Sequence, residues 1–176
     1  MIEIIGTAIA LAGFLFAVYE YSQAQVWKRK EFAAAQLRRL QEDEMLAMCC
    51  LMLDYTVRKL SVPARLKVFT KEESFTHKSE LLMQGLQPEN ERSSFEWPLI
   101  AYRDGFDSLF TYLSEIYDHR QSKLYHLEDI EGLRYWLNEL KNPRFYPKDT
   151  FRKFCEHYQY PKVFALVEAF EIKSTD

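Results

Sequence analysis

The feature that most constrains this fold is an uncharged apolar run near the N-terminus, Ile4–Tyr19. As an α-helix, these residues cover about 24 Å, somewhat less than the roughly 30 Å hydrocarbon core of a bilayer. Extending the helix to Met1–Tyr21 gives about 31 Å and places Glu3 and Glu20 near its two edges. The run predicts a single transmembrane helix, with residues 1–26 as a membrane anchor.

The residues after this run indicate its orientation. Tyr19, Tyr21 and Trp27 are aromatic residues of the kind that favours a membrane–water interface. Lys28–Lys30 follow at once, and no lysine or arginine precedes the run. Because positive charge stays on the cytoplasmic side, we expect a single-pass protein of the inner membrane. Its N-terminus is expected outside and its C-terminus in the cytoplasm, with membrane lipid as a partner.

Two other interpretations of the run stay open. A cleaved signal peptide would use Ser22-Gln23-Ala24 as its small-residue site, although the Met-Ile-Glu start lacks the usual positive charge. A core helix buried in a globular domain is the other alternative. In the first interpretation the run is removed from the mature protein. In the second it is covered by the rest of the chain.

Small residues recur along the run at spacings of four, three and four. Gly6, Ala10, Gly13 and Ala17 therefore fall on one face of a helix, where two backbones can approach closely. We expect this small-residue stripe to associate two copies of the chain within a membrane.

The rest of the chain is expected to be all-α. Residues 27–62 predict a long juxtamembrane helix, continuous with the anchor or following it, and residues 63–176 a helical cytoplasmic domain. The complete expectation is one transmembrane helix followed by four to six further helices. Apolar periodicity and end signals place the expected helices at Glu80–Leu86, Leu99–His119, Leu127–Leu140, Asp149–Tyr158 and Pro161–Phe170. Ala64–Phe69 fits either a short helix or a strand.

Composition excludes several classes of function. The formal net charge of −3 argues against a broad phosphate-binding surface, so DNA is not expected as a partner. Cys49, Cys50 and Cys155 have no metal-ligand spacing and fit free thiols in a reducing cytoplasm. Asp104 and Asp107, three residues apart on a predicted helix, are a weak metal candidate without a histidine at ligand spacing nearby. Neither a cofactor nor a metal is expected.

One segment has the form of a catalytic motif. Arg152 and His157 are separated by four residues on a predicted helix, in the order R-x4-H. The segment resembles the signature of HEPN-domain ribonucleases, which are all-helical and often dimeric in bacterial defence. The resemblance implies that Arg152 binds the scissile phosphate and that His157 does acid–base work. Lys153 departs from the fuller motif, which has a polar Asn, Asp or His after the arginine, and the alternative is a surface pair flanking buried Phe154.

The layout of the whole chain also resembles a known type of protein. The resemblance rests on three segments: W-K-R-K-E-F at Trp27–Phe32, R-D-x-F-D at Arg103–Asp107 and Y-W-L at Tyr135–Leu137. Uncharacterised bacterial single-span membrane proteins with an all-helical cytoplasmic domain share this arrangement. The resemblance implies a location and a fold class but no activity.

These observations favour a membrane-anchored interaction or regulatory protein without an evident catalytic site. Its expected partners are membrane lipid, a second copy of itself and an unidentified cytoplasmic protein. The alternative is a membrane-tethered ribonuclease that uses Arg152 and His157.

Overall fold

The molecule is built mainly from α-helices, which confirms the predicted fold class in outline. A computed structural model describes residues 2–88 and 96–172, without the side chains of residues 2–5, 7, 8 and 172. Seven α-helices lie in the described ranges. Six of them follow the first helix, within the predicted range of four to six. They are α1 (Ile2–Glu42), α2 (Glu44–Asp54), α3 (Ser79–Gly85), α4 (Leu99–Gln121), α5 (Arg134–Lys141), α6 (Thr150–His157) and α7 (Pro161–Ile172).

The first helix is one uninterrupted element from Ile2 to Glu42, which joins the predicted anchor to the helix after it. It ends where Asp43 adopts extended backbone. The Asp43 carboxylate accepts hydrogen bonds from the backbone N–H groups of Met45 at 2.9 Å and Leu46 at 3.2 Å. Asp43 therefore caps the N-terminus of α2 and divides the helix that was predicted over residues 27–62.

Two strands correct that prediction further. β1 (Val57–Ser61) and β2 (Ser74–Lys78) form an antiparallel hairpin, joined through a 3-10 helix over Ala64–Val68. Leu60 pairs with Phe75, and both side chains are buried. Residues 57–61 are thus strand rather than helix, because cross-strand pairing and burial outweigh the weak local preference of a five-residue segment.

The central element of the domain is α4, which packs against α2, α3 and α7. Its apolar face is buried at helical spacing, as predicted for Leu99–His119. The most deeply buried side chains of α4 are Ala101, Tyr102, Phe106, Leu109, Phe110, Tyr112, Leu113 and Ile116. Gly105 allows α2 to approach closely, since a Cβ there would lie 2.9 Å from Cys49 Sγ. A side chain larger than hydrogen would push the two helices apart.

The C-terminal half has the predicted helices, except that one of them is divided into two elements. The expected helix Leu127–Leu140 is a 3-10 helix over Leu127–Leu133 followed by α5. The backbone leaves helical geometry at Ile130 (φ −117°, ψ 24°), whose side chain is fully buried. The helices predicted around residues 80, 150 and 161 are confirmed as α3, α6 and α7.

The C-terminal third of α1 is docked on this domain. Ala33 is fully buried, and the Tyr112 hydroxyl of α4 donates a hydrogen bond to the Gln36 carbonyl at 2.9 Å. An ion pair joins Arg29 to Asp129 of the Leu127–Leu133 helix at 2.8 Å. From residue 29 onward, α1 is therefore part of the domain's packing.

Candidate functional site

The N-terminal two thirds of α1 project away from the domain. Every residue from Ile9 to Lys28 is exposed. Nine large apolar or aromatic side chains in this stretch are about half exposed or more: Ile9, Leu11, Phe14, Leu15, Phe16, Val18, Tyr19, Tyr21 and Trp27. We call residues 9–28 the projecting segment. Its described part lies outside the core, contrary to the core-helix interpretation.

The first part of the projecting segment, residues 9–19, is apolar on all sides. At 3.6 residues per turn, Ile9, Phe14 and Leu15 point to different sides of the helix, and each is at least 59% exposed. An amphipathic surface helix would instead show one apolar stripe and one polar face. The charged residues of the segment are Glu20 and then Lys28, where the segment meets the domain.

Within the residues whose side chains are described, none of the helices has a stretch long and apolar enough to cross a membrane. Four residues of the predicted span, Ile4, Ile5, Thr7 and Ala8, lie outside that set.

Exposed aromatic and basic residues lie where α1 enters the domain, and we call Trp27, Lys28 and Lys30 the collar. Trp27 is 64% exposed, and Lys28 and Lys30 are exposed beside it. Arg29 points the other way and pairs with Asp129, whose side chain is only 6% exposed. The basic triplet therefore has one member in the domain interface and two on the surface.

The small-residue stripe lies on the projecting segment and the turn before it. Gly6, Ala10, Gly13 and Ala17 are all exposed. A Cβ added to Gly6 or Gly13 would meet no described atom within 4 Å. The described part of this chain thus leaves the stripe uncovered, and self-association through it stays a prediction.

The two residues of the R-x4-H motif lie on α6 but do not converge. The Arg152 guanidinium stacks over the Phe164 ring at 4.3 Å from its centroid, in a groove between α6 and α7. His157 is exposed at the end of α6 and contacts the Tyr158 ring edge-on. Five residues apart, the two side chains leave the helix about 140° apart. Their ribonuclease role stays a prediction.

The R-D-x-F-D segment serves packing within the domain. Arg103 is 8% exposed, donates to the Gln87 carbonyl at 3.2 Å and bonds the Tyr158 hydroxyl. Asp107 accepts a hydrogen bond from the Tyr160 hydroxyl at 3.3 Å. Over residues 2–88 and 96–172, no group of three or more histidine, cysteine or acidic side chains is arranged to hold a metal ion.

The histidines at the end of α4 are held in local contacts. His119 packs edge-on against Phe32 of α1, with ring centroids 5.2 Å apart. His126 is the N-cap residue of the 3-10 helix, three residues before Asp129. The backbone N–H of His126 donates to the Asp129 carboxylate at 2.9 Å. These residues connect α1, α4 and the 3-10 helix.

A buried histidine network was not found from the sequence. His77 of β2 is fully buried, and its Nε2–H donates to the Tyr55 carbonyl at 2.8 Å. Its Nδ1 then accepts from the Tyr102 hydroxyl at 3.3 Å, and that hydroxyl accepts from the Lys78 N–H at 3.1 Å. Burial lowers the pKa of His77. The signal in the sequence was the alternation of Phe75 and His77 on one strand face.

The cysteine thiols are free and buried. Burial raises the pKa of the Cys50 thiol to about 12 and the pKa values of Cys49 and Cys155 as well. Because the thiolate is the reactive form, none of the three is set up as a nucleophile.

An open groove of about 630 Å³ lies between the α1–α2 junction and α4. Its charged lining includes Asp43, Glu44, Arg65 and Asp104. Two of these have structural roles, since Asp43 caps α2 and Glu44 accepts from the Ala64 N–H at 2.8 Å. The groove was not expected from the sequence, because it is formed by segments distant along the chain.

Comparison of the chain with protein-family models, curated proteins and solved structures finds no match.

Proposed function

We propose that this chain is a membrane-anchored helical protein that acts through contacts rather than catalysis. The projecting segment and the residues before it form a single span of the inner membrane. The domain from residue 29 onward stands in the cytoplasm. The observation that carries this proposal is the exposure of apolar side chains all around residues 9–19.

Water is an unfavourable environment for such a surface. Burying a large aliphatic or aromatic side chain yields about 1.5–3 kcal/mol, and several here receive no cover from the chain. A helix that is apolar on all sides belongs in a protein core or in lipid. The domain does not supply the core, which supports lipid as the surroundings.

The collar supports the orientation. Lys28 and Lys30 are exposed at the junction with the domain, where they can face the cytoplasmic headgroups. Trp27 and Tyr21 lie on the membrane side of that junction, where the polar tips of interfacial aromatics find water.

Action through contacts is supported by how the side chains that could do acid–base or phosphate-binding chemistry are used. Arg103 and His77 are engaged in hydrogen bonds inside the fold. Arg152 stacks on a phenylalanine ring, away from His157. The proposed contacts are with a second copy through the small-residue stripe and with a cytoplasmic protein.

Charge substitution in the projecting segment tests the anchor. Leu11→Arg with Leu15→Arg places two charges in the middle of the proposed span, at a cost of about 2.5–3.5 kcal/mol each. We expect the wild-type chain to stay in the membrane pellet after alkaline extraction and the double variant to be released.

The matched control is Val57→Arg with Val68→Arg, because these side chains are 61% and 80% exposed on the domain. We expect this control to remain in the pellet. Release of the wild-type chain into the supernatant would refute the anchor.

A further inference from the structure

One edge of the β1–β2 hairpin is formed by backbone groups that do not bond to the partner strand. The N–H of Val62 donates to the Glu73 carbonyl at 3.0 Å. At the other end of the pair, the N–H of Ser79 donates to the Thr56 carbonyl at 3.0 Å. Because bonding alternates along an antiparallel pair, the even-numbered residues of β1 bond to β2 and the odd-numbered residues face away from it. The outward N–H and C=O groups belong to Val57, Lys59 and Ser61.

These outward backbone groups are open to a partner. Within the described parts of the chain, no hydrogen bond reaches the backbone of Val57, Lys59 or Ser61 from outside the hairpin. The side chains of all three residues are exposed. A row of unpaired backbone groups on an edge strand is a template to which another extended chain can add. The chemistry of this edge therefore favours an extended backbone as its partner.

A groove of about 360 Å³ lies between β1 and α2. Lys59 and Ser61 line its strand side, and Ala47, Met48 and Leu51 line its helix side. The three α2 residues share one helix face, since they are three and four positions apart. Neighbouring strands lie about 4.8 Å apart, so a strand added to β1 would lie along this groove. One wall of the groove thus offers backbone groups and the other offers apolar side chains.

The edge carries positive charge. β1 and β2 together contain three basic residues, Arg58, Lys59 and Lys78, and no acidic residue. Arg58 and Lys59 line the groove, where the acidic residue is Glu44. Glu44 already accepts a hydrogen bond from the Ala64 N–H at 2.8 Å. A strand with acidic side chains matches this charge.

The acidic residues of the connection between β1 and β2 are bound to other groups. Glu72 accepts a hydrogen bond from Trp97 Nε1–H at 3.2 Å. Glu73 pairs with Lys67 at 2.7 Å. The same connection contains three basic residues, so its two acids do not reverse the positive charge of the edge.

A second copy of the chain does not suit this edge. Two β1 strands paired in full antiparallel register through their outward groups would place Lys59 opposite Lys59. Like charges directly opposite one another destabilise a strand pair, and lysine on an edge strand protects against pairing between copies. The charge of the edge therefore favours a strand of different sequence.

We propose that the outer edge of β1 and the adjoining groove bind an extended segment of a cytoplasmic partner protein in which acidic and apolar side chains alternate. The segment adds to the hairpin as a third strand and bonds the outward backbone groups of Val57, Lys59 and Ser61. Its acidic side chains lie on the face of Lys59, and its apolar side chains pack toward Ala47 and Leu51. This inference rests on the proposed action through contacts, but it does not depend on the anchor.

Binding of a model strand tests the surface. The probe is a fluorescein-labelled peptide in which glutamate and valine alternate, titrated into the full chain in nonionic detergent and followed by fluorescence anisotropy. We expect saturable binding that Lys59→Glu weakens several-fold. The matched control is Lys153→Glu, which changes an exposed lysine of α6 and is expected to leave binding unchanged. A peptide with lysine in place of glutamate is expected not to bind.

Hydrogen exchange measured by NMR locates the added strand. In the chain without peptide, we expect the N–H groups of Lys59 and Ser61 to exchange faster than that of Leu60, which bonds to β2. With the glutamate–valine peptide bound, exchange at Lys59 and Ser61 is expected to slow several-fold. Exchange at Thr76, whose N–H faces the other edge of the hairpin, is expected to stay the same.

Each contrary outcome overturns a stated part of the proposal. A glutamate–valine peptide that does not bind would overturn the surface, and equal binding by the lysine peptide would overturn the preference for acidic strands. Binding without slower exchange at Lys59 and Ser61 would overturn strand addition. Slow exchange at these positions without peptide, more so at higher protein concentration, would identify a second copy as the occupant and overturn the proposal. None of these results affects the anchor, which alkaline extraction tests separately.

Discussion

At the scale of single residues, His77 shows how a polar side chain is built into the core. Its two ring nitrogens connect the Tyr55 carbonyl to the Tyr102 hydroxyl, and Tyr146 lies 3.3 Å from Nε2 while donating to the Met52 carbonyl at 2.6 Å. The network joins the end of α2, strand β2, α4 and the segment before α6. This hydrogen-bond geometry requires a neutral His77 ring, so the stability of the network depends on pH.

The free energy of unfolding is expected to depend on pH through His77. Because burial lowers its folded-state pKa, the unfolded chain binds a proton more readily, and the contribution is complete above the unfolded pKa of about 6.5. Stability is lost as pH falls below that value toward the folded pKa. Urea unfolding in detergent at several pH values measures this dependence.

The matched variant for this test is His77→Gln, which keeps an amide donor but does not titrate. We expect it to cost about 1–3 kcal/mol near neutral pH, since the network is imperfectly restored, and to show a shallower decline on acidification. The exposed control His157→Gln is expected to change stability by no more than about 0.5 kcal/mol. Identical pH slopes for wild type and His77→Gln would contradict the assignment.

At the scale of elements, the strongest sequence periodicities gave the most reliable predictions. Leu99–His119 has an apolar face long enough to decide its own structure, and α4 matches it. The hairpin could not be predicted in this way, because each strand has five residues and gains its stability from partners far along the chain. The end of α1 was missed for a different reason: Asp43 caps a new helix through local bonds, although residues 27–54 have no glycine or proline to indicate a break.

The two ion pairs that dock α1 are expected to differ in strength. Arg29→Gln leaves the Asp129 carboxylate, 6% exposed, without its cationic partner, so we expect a loss of about 1–3 kcal/mol. Arg39→Gln breaks a pair with Glu115 in which both side chains are more than 40% exposed, and such pairs contribute at most about 1 kcal/mol.

Urea unfolding of the two variants in detergent measures the difference, with Arg39→Gln as the matched control from the same helix. Equal losses for both variants would show that burial of Asp129 does not strengthen the docking of α1.

At the scale of the whole molecule, the two parts of α1 lie in different surroundings. Residues 29–42 pack on the domain, whereas residues 9–28 stand clear of it. The apolar run and its basic flank predict an anchor over residues 1–26, and α1 is docked on the domain from residue 29 onward. The docking of residues 29–42 could not be predicted, because it depends on residues far along the chain, such as Tyr112 and Asp129.

The small-residue stripe predicts a measurable self-association. Gly13→Ile places a branched side chain on the face where two helices would meet, and we expect several-fold weaker cross-linking of two copies in membranes. Leu11→Ile lies on the opposite side of the helix and is the matched control, expected to cross-link as the wild type does. Unchanged cross-linking of Gly13→Ile would remove the stripe from the account.

The location of a C-terminal tag on the full chain decides whether the N-terminal helix is a membrane anchor with the domain in the cytoplasm. Intact spheroplasts of bacteria that express the tagged chain are treated with protease, and their membranes are then extracted at alkaline pH. We expect a tag that is protected from protease in intact spheroplasts and recovered in the membrane pellet. A tag in the soluble fraction, or one that is digested from outside, would contradict it.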